Sequence, residues 1–396
     1  MALENQQHMV ETCPICKSNA TLSTVINFKY LVGIVDEYNQ SIYCCDNCEF
    51  IFTPNYISEE LISRYYKNIS KYEGNSEGIV DNSKLLMTER QYNFIKNSVD
   101  DYDTVLEIGA STGFNLNTFK KHGKKVFGVE PSNKNKITAK DFYDIDLYDG
   151  MYEEFFVENR EKSFDLIILS HVLEHIYNPN EFIKKLKEQN NKYIYIEVPS
   201  FEVQLESEPF GCFFYEHVNH FTINSLNNLM KPNGYKPINL SVNYNVNGES
   251  PNYPVICSLW TKSDSLFDKN SIVSSDILIE NYLLKSNKNF KKIEERINNI
   301  RSNAKLAVWG TGSHTSRLLG MTSLLSKNIV KFYDSDEKKH DFKIGNKEIT
   351  SFQKSDIVNK YVDTILISTY SAENSIKSFL KEQNIDVDII SLYEKE

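Results

Sequence analysis

Residues 214–222 read FYEHVNHFT, which sets Glu216 beside His217, His220 three positions on, and aromatic rings on both flanks. An imidazole titrates near neutrality, so a histidine beside a carboxylate can move protons in general acid–base chemistry. The same residues also suit the packed edge of a strand or helix, and for His220 packing is the expected role. A second chemical set lies near the start. Cys13 and Cys16 in TCPICK, then Cys45 and Cys48 in CDNCEF, form two Cys-x-x-Cys turns 28 residues apart. Each turn aims two sulfurs at one centre, and together they predict a closed tetrahedral thiolate site for zinc. Such a site keeps no open position, so the metal is expected to staple a small segment rather than to catalyse. A redox dithiol is the competing reading, but it comes as one pair at a helix N-terminus, and no such unit is visible here. Cys44 could replace Cys45, although only Cys45 keeps the x-x spacing to Cys48; Cys212 and Cys257 read as ordinary buried thiols.

The elements that must position the histidines come before them in the chain. DTVLEIGASTGFNLNTFKKHGKKVFGVEPS (103–132) reads as strand, glycine turn, helix, strand. Its second strand closes on Glu130, 21 residues after Gly109, where a carboxylate can accept hydrogen bonds from ribose hydroxyls. The turn is Gly109-x-Ser111-x-Gly113 and lacks the third glycine of a pyrophosphate cradle, so a nucleoside rather than a dinucleotide is the expected ligand. YIYIEVPS (193–200) reads as a fifth strand, placing Glu216 and His217 after the carboxyl edge of an open parallel sheet. Further on, KLAVWGTGSHTSRLL (305–319) repeats the strand–glycine turn–helix pattern, with Asp334 ending a strand 24 residues after Gly310. Two glycines, Gly310 and Gly312, make a weak signature, so this unit either lines a substrate cleft with 312–315 or serves as a wall.

On these residues the chain resembles the class I S-adenosylmethionine-dependent methyltransferases. Their first motif is similar to LEIGASTG, with an acid at Glu107, and their fourth-strand motif to SFDLIILSHVLEHI (163–176), which Asp165 opens. The resemblance implies that Glu107, Gly109, Ala110, Ser111 and Gly113 meet the methionine part of the cofactor. It further implies Glu130 and Pro131 at the ribose, Gly150 and Met151 at the adenine, and Ser170 and His171 at the end of the fourth strand. His171 and His175 have helical spacing with Glu174 between them, and the motif leads us to expect packing at a helix start rather than a metal pair.

Taken whole, the four-cysteine unit, this core with Glu-His after its fifth strand, the NVNGES segment (245–250) and the second nucleotide-type unit resemble the nucleotide-sugar C-methyltransferases of deoxysugar biosynthesis. That likeness implies His217 as the base toward a keto sugar, with Glu216 beside it and a tyrosine, Tyr215 or Tyr72, donating to the oxyanion. The family has tyrosine three residues before the histidine, where this chain has Phe214. Methylation at oxygen or nitrogen is therefore the alternative reaction, and a non-catalytic scaffold a further reading.

Length and charge frame these readings. A chain of 396 residues exceeds one core and predicts an α/β protein in parts: a zinc-binding domain (1–75), a Rossmann-like methyltransferase domain (76–265), a helical connector (266–302) and a C-terminal Rossmann-like domain (303–396). The net charge of −10 speaks against nucleic acid and for a small-molecule partner, here a nucleotide sugar. No run of about 18 apolar residues and no leader pattern is present, so a cytoplasmic protein free of the membrane is expected, as a monomer.

Overall fold

The apolar runs named above become buried strands in a computed structural model of the chain, which describes residues 10–58, 60–62, 82–202, 208–243, 254–263, 277–370 and 372–393. Tyr72 and the segment 245–250 lie outside the described residues. Three sheets divide the chain.

The first sheet is antiparallel and joins β1 (Val10–Thr12), β2 (Asn19–Leu31), β3 (Val35–Cys45) and β4 (Ile51–Phe52). Both Cys-x-x-Cys turns lie at one end of the long β2–β3 hairpin. Its fifth strand is borrowed from far along the chain: β10 (Asn219–His220) pairs with β4, Asn219 opposite Phe52 and His220 opposite Ile51.

The second sheet has the order β11-β12-β9-β8-β5-β6-β7. Its centre is β5 (Thr104–Ile108), parallel to β6 (Lys125–Glu130) on one side and β8 (Leu166–Ser170) on the other. Strand order therefore reverses at β5, which opens a crevice at its carboxyl end. Leu166, Ile167, Ile168 and Leu169 are all fully buried, as a parallel strand covered on both faces requires. Removing each such side chain from water contributes roughly 2 kcal/mol. The covering helices are α1 (Asn82–Lys96), α2 (Phe114–Lys121), α3 (Asn133–Tyr143), α4 (Tyr152–Glu158), α5 (Pro179–Glu188) and α6 (Ile223–Met230). Beyond β7 (Tyr148–Asp149) and β9 (Tyr193–Pro199), the antiparallel pair β11 (Tyr235–Asn243) and β12 (Val255–Lys262) completes the other edge.

Helix α7 (Ile277–Asn298) connects to the third sheet and has one buried and one exposed face. Tyr282, Ser286, Phe290, Ile293 and Ile297 recur at helical spacing and are buried, while its lysines face outward. The third sheet surrounds β13 (Leu306–Trp309), parallel to β14 (Ile329–Tyr333) and β17 (Thr364–Ile367). Between β13 and β14 runs α8 (Ser313–Met321), which packs on β2 of the first sheet. The contact is close: a Cβ on Gly320 would stand 2.2 Å from the Asn27 carbonyl oxygen.

Candidate functional site

The turn after β5 is held open by backbone that ordinary residues avoid. Gly109 (φ 72°) and Gly113 (φ 73°) are left-handed, and so is Ser111 (φ 48°) between them. A side chain on Gly109 would also meet Val172 Cγ2 at 2.9 Å, so glycine is needed there twice over. Two buried acids flank the turn. Glu130 accepts from the Ser111 and Ser132 backbone N–H groups at 2.8 and 2.9 Å, which fixes the rim of the crevice. Glu107 accepts at Oε1 from Asn115 Nδ2 (2.8 Å), while its Oε2 has no hydrogen-bond partner among the described residues. Burial pushes the Glu107 carboxyl up to about 8, opposed by Asn115 and reinforced by Glu130. A buried carboxyl with an orphan oxygen beside a second carboxylate suits a cationic ligand, so the residues present fit the sulfonium and amino group of S-adenosylmethionine.

The remaining expected contacts stand around the same crevice. Ala110 is buried, Pro131 half-buried, and Ser170 Oγ accepts from Gln91 Nε2 at 2.8 Å. Gly150 and Met151 precede α4, where a Cβ on Gly150 would stand 2.5 Å from Glu154 Oε2. Asp165 has a different place. It sits at the opposite, amino-terminal end of β8 and accepts from the Asp103 and Thr104 backbone N–H groups and the Thr104 hydroxyl at 2.9–3.0 Å. Those bonds outweigh its burial and bring the carboxyl down to about 2.

His171 and His175 turn to separate partners. His171 (φ 54°) lies with Nδ1 3.2 Å from Glu174 Oε1 and Nε2 3.6 Å from Glu197 Oε1. Burial opposes its charge, but the two carboxylates prevail and lift it to about 10. His175 Nδ1 instead lies 3.0 Å from the Glu216 carbonyl oxygen.

A network absent from the sequence reading supports this row. Glu197, fully buried on β9, accepts two parallel bonds from Arg90 Nη1 (2.8 Å) and Nη2 (3.0 Å) and a third from the Tyr195 hydroxyl (2.6 Å). The signal that would have found it is a carboxylate inside an otherwise apolar strand, which must have a counter-charge somewhere. Arg90 lies 107 residues away, so its identity is not legible locally.

The loop bearing Glu216 and His217 is tied down from several directions. Val218 N donates to the Glu174 carbonyl (2.9 Å), Thr53 N to the Val218 carbonyl (2.9 Å), and Asn219 Nδ2 to the carbonyls of Leu173 (3.1 Å) and Ile176 (2.6 Å). Gln40 Nε2, from the first sheet, donates to the carbonyls of Phe214 (3.1 Å) and His217 (3.4 Å). From the third sheet, the fully buried Arg317 of α8 donates to the carbonyls of Pro209 (3.0 Å) and Phe213 (3.2 Å) and to Glu208 Oε1 (3.0 Å). These bonds set His217 beside His175, ring centroids 4.9 Å apart and edge to face.

The other members of the stretch pack. His220 is buried edge-on to Phe213 with centroids 5.1 Å apart, and burial drops its ring to about 3, so it stays neutral. Tyr215 is buried with its ring edge-on to Phe28 at 6.3 Å, in the apolar layer beneath the β2–β3 hairpin.

The four cysteine sulfurs lie within 4.8 Å of one another, with Cys13–Cys48 at 3.6 Å and Cys16–Cys45 at 3.4 Å. A tetrahedron of Zn–S bonds sets sulfurs about 3.8 Å apart, so the set fits that metal. The two turns share one backbone plan. Lys17 N donates to the Cys13 carbonyl and Glu49 N to the Cys45 carbonyl, and both Lys17 and Glu49 are left-handed. Asn47 N and Cys48 N each reach Cys45 Sγ at 3.4 Å. Cys44 stays outside the set; Cys257 is buried as expected, 3.3 Å from Glu197, whereas Cys212 is only half-buried.

In the third sheet's glycine turn an acid again ties down the backbone. Asp334 Oδ2 accepts from Thr311 N (2.9 Å) and Thr311 Oγ1 (2.6 Å) and pairs with Lys339 Nζ (2.9 Å).

Comparison with known proteins agrees with the central sheet. Residues 59–240 match the family described as methyltransferase domain, and residues 302–391 match one described as C2185-like, N-terminal. The chain is 22% identical over 206 residues to the C-methyltransferase NovU of Streptomyces niveus, covering 50% of this chain and 47% of that protein. It thus spans about half the length of this curated relative. Among solved structures it is similar to a SAM-dependent methyltransferase from Archaeoglobus fulgidus (14% identity, TM-score 0.38, 45% of this chain and 94% of that one). It is also similar to magnesium protoporphyrin IX methyltransferase of Synechocystis PCC 6803 with bound SAH (11% identity, TM-score 0.40, 52% of this chain and 100% of that one). The match over residues 59–240 identifies a methyltransferase domain in this chain.

Proposed function

We propose that the chain methylates a nucleotide-activated sugar at the carbon beside a ketone, with His217 as the base. The observation that carries this reading is the placement of His217: its loop follows the carboxyl edge of β9 and is bound by the turn after β8, with ties from both other sheets. The name of the relative NovU, a C-methyltransferase, supports it at the level of reaction type. S-adenosylmethionine, when bound, supplies a methyl group on a positively charged sulfur that departs with the bonding electron pair. The protein's part is to take the proton from the sugar carbon onto an imidazole nitrogen of His217, so that the carbon can attack. Of the two tyrosines, Tyr72 is the proposed donor to the developing oxyanion, since the ring of Tyr215 packs on Phe28, and zinc at Cys13, Cys16, Cys45 and Cys48 is the proposed staple.

A second reading, methylation at a sugar oxygen or nitrogen, is favoured by one observation: Phe214 carries no hydroxyl where the resembled family has tyrosine. The two separate in solvent deuterium with a 4-keto sugar nucleotide and no methyl donor. The C-methylation reading expects deuterium beside the ketone, lost in His217→Ala, and a methyl bonded to carbon in the product's 13C NMR spectrum. A methyl bonded to oxygen or nitrogen, with exchange absent, rejects it.

A further inference from the structure

We infer that Glu174 is the buried counter-charge of the His217 base, a positioning residue supplied by the turn after β8 rather than by the Glu216 adjacent in sequence. The inference rests on the proposed role of His217.

Glu174 is 1% exposed and sits in the single helical turn Leu173–His175. Its carbonyl accepts from Val218 N at 2.9 Å, which ties its turn to the His217 loop. A carboxylate oxygen of Glu174 and ring nitrogens of His175 and His217 all lie within 4.8 Å of one another. One oxygen, Oε1, faces His171 at 3.2 Å; the other, Oε2, is buried and has no hydrogen-bond partner among the described residues.

The charges behind Glu174 explain why it is there. Arg90 is paired with Glu197, Glu197 lies 3.6 Å from His171, and His171 lies 3.2 Å from Glu174. Signs alternate along this row, positive, negative, positive, negative, and the row ends on a carboxylate with an oxygen to spare. The next place in such a row suits a cation, and an imidazolium at His217 is one. When the proton passes from the sugar carbon to the imidazole, the ring gains a positive charge that Glu174 balances, with no bond to Glu174 made or broken. Glu216 supplies its backbone carbonyl to hold His175, a different task. Among the described residues, Glu174 and His175 face His217 from the turn, Glu216 is its neighbour in its own loop, and His171, Glu197 and Arg90 lie behind Glu174; Gln40, from the first sheet, is neutral.

The test compares Glu174→Gln, which keeps the shape and removes the charge, with Glu174→Asp, which keeps the charge, in the full-length zinc-loaded protein. The chain has eight histidines, and the imidazole Cε1–H resonance of His217 is assigned by its loss in His217→Ala. A carboxylate at this distance raises an imidazole pKa by about one unit or more, so the His217 titration is expected to fall by about that much in Glu174→Gln and to stay near wild type in Glu174→Asp. The acid limb of kcat should move to lower pH with it, and turnover on the plateau should drop about tenfold. Failure of Glu174→Gln to move the titration, together with a fall in Glu216→Gln, overturns the inference in favour of Glu216. Should Glu174→Gln not fold, the Asp and Glu216→Gln titrations still decide, since a charge supplied by Glu216 predicts the fall in the latter. The NMR arm needs no sugar, so it stands or fails apart from the deuterium-exchange test of His217 as base.

Discussion

A single oxygen shows how the crevice chooses its ligand. Glu107 Oε2 is buried beside the Glu130 carboxylate without a hydrogen-bond partner among the described residues, and the carboxyl is pushed up to about 8 chiefly by burial. The sign of the consequence is fixed. An unfolded glutamate titrates near 4.3, so the folded protein holds this proton longer than the unfolded chain does. The resulting stabilisation is complete below that value and is lost as pH rises through about 8. A cationic cofactor favours the ionised form and so expels the proton. Calorimetry in buffers of differing ionisation enthalpy should therefore read close to one proton released per S-adenosylmethionine at pH 7, falling toward zero above about pH 9. Glu107→Gln should abolish the release and weaken binding. Release that persists in that variant would show that another group gives up the proton. The sequence named Glu107, the glycines and Glu130 because they fall in one short stretch with a recognisable order. It could not name Arg90 as the partner of Glu197 or Gln91 as that of Ser170, because those contacts cross the fold.

Helix α8 is an element whose packing adds a task that its sequence does not suggest. Its glycine turn reads as either a cleft lining or a wall, and Asp334 there is engaged by Thr311 and Lys339. The helix lies on β2, and its Arg317 holds the carbonyls of Pro209 and Phe213 while its Ser316 hydroxyl donates to the Tyr30 carbonyl (3.0 Å). Replacing Arg317 with Met keeps most of the volume but strands those carbonyls and takes from Glu208 one of the two partners, His314 and Arg317, that bring its carboxyl down to about 2 against burial. Removing one partner of such a buried pair costs about 3 kcal/mol or more. Urea titration should show that loss as a lower midpoint, and turnover should fall because the His217 loop is no longer pinned. A midpoint unchanged from wild type would remove Arg317 from this role. Gly320→Val tests the same contact by bulk, since a Cβ there already meets the backbone of Asn27 at 2.2 Å.

At the scale of the molecule, three sheets meet on one loop. The second sheet forms the cofactor crevice, the first gives its β4 edge to Asn219 and His220, and the third sends Arg317. Cofactor binding and base alignment therefore depend on different parts of the chain. Stripping the proposed zinc with a thiol-competing chelator should melt the first sheet's cysteine end, because a four-thiolate site supplies much of the folding energy of so small a unit. β4 then loses its register and His217 its tie to Gln40. The expected outcome is methyl transfer lost by at least an order of magnitude, while S-adenosylmethionine affinity by calorimetry stays within about threefold, with both measured against metal content. Equal loss of the two would mean that the sheets do not divide the work.

By itself the sequence determined the grouping of the cysteines into one site, the strand–turn–helix order of the central sheet and the placement of Glu216 and His217 after its fifth strand. Each of these is written in spacing along a short stretch, because turns, helix faces and buried strands impose local periods on residue type. Tertiary structure alone decided that β10 leaves the central sheet for the first one, that Arg317 reaches across from α8, and that Glu174 closes the row from Arg90 toward His217. These contacts join residues tens to hundreds of positions apart. They depend on buried polar groups having to find partners wherever the packed chain brings them, and that demand leaves no periodic trace in the order of amino acids.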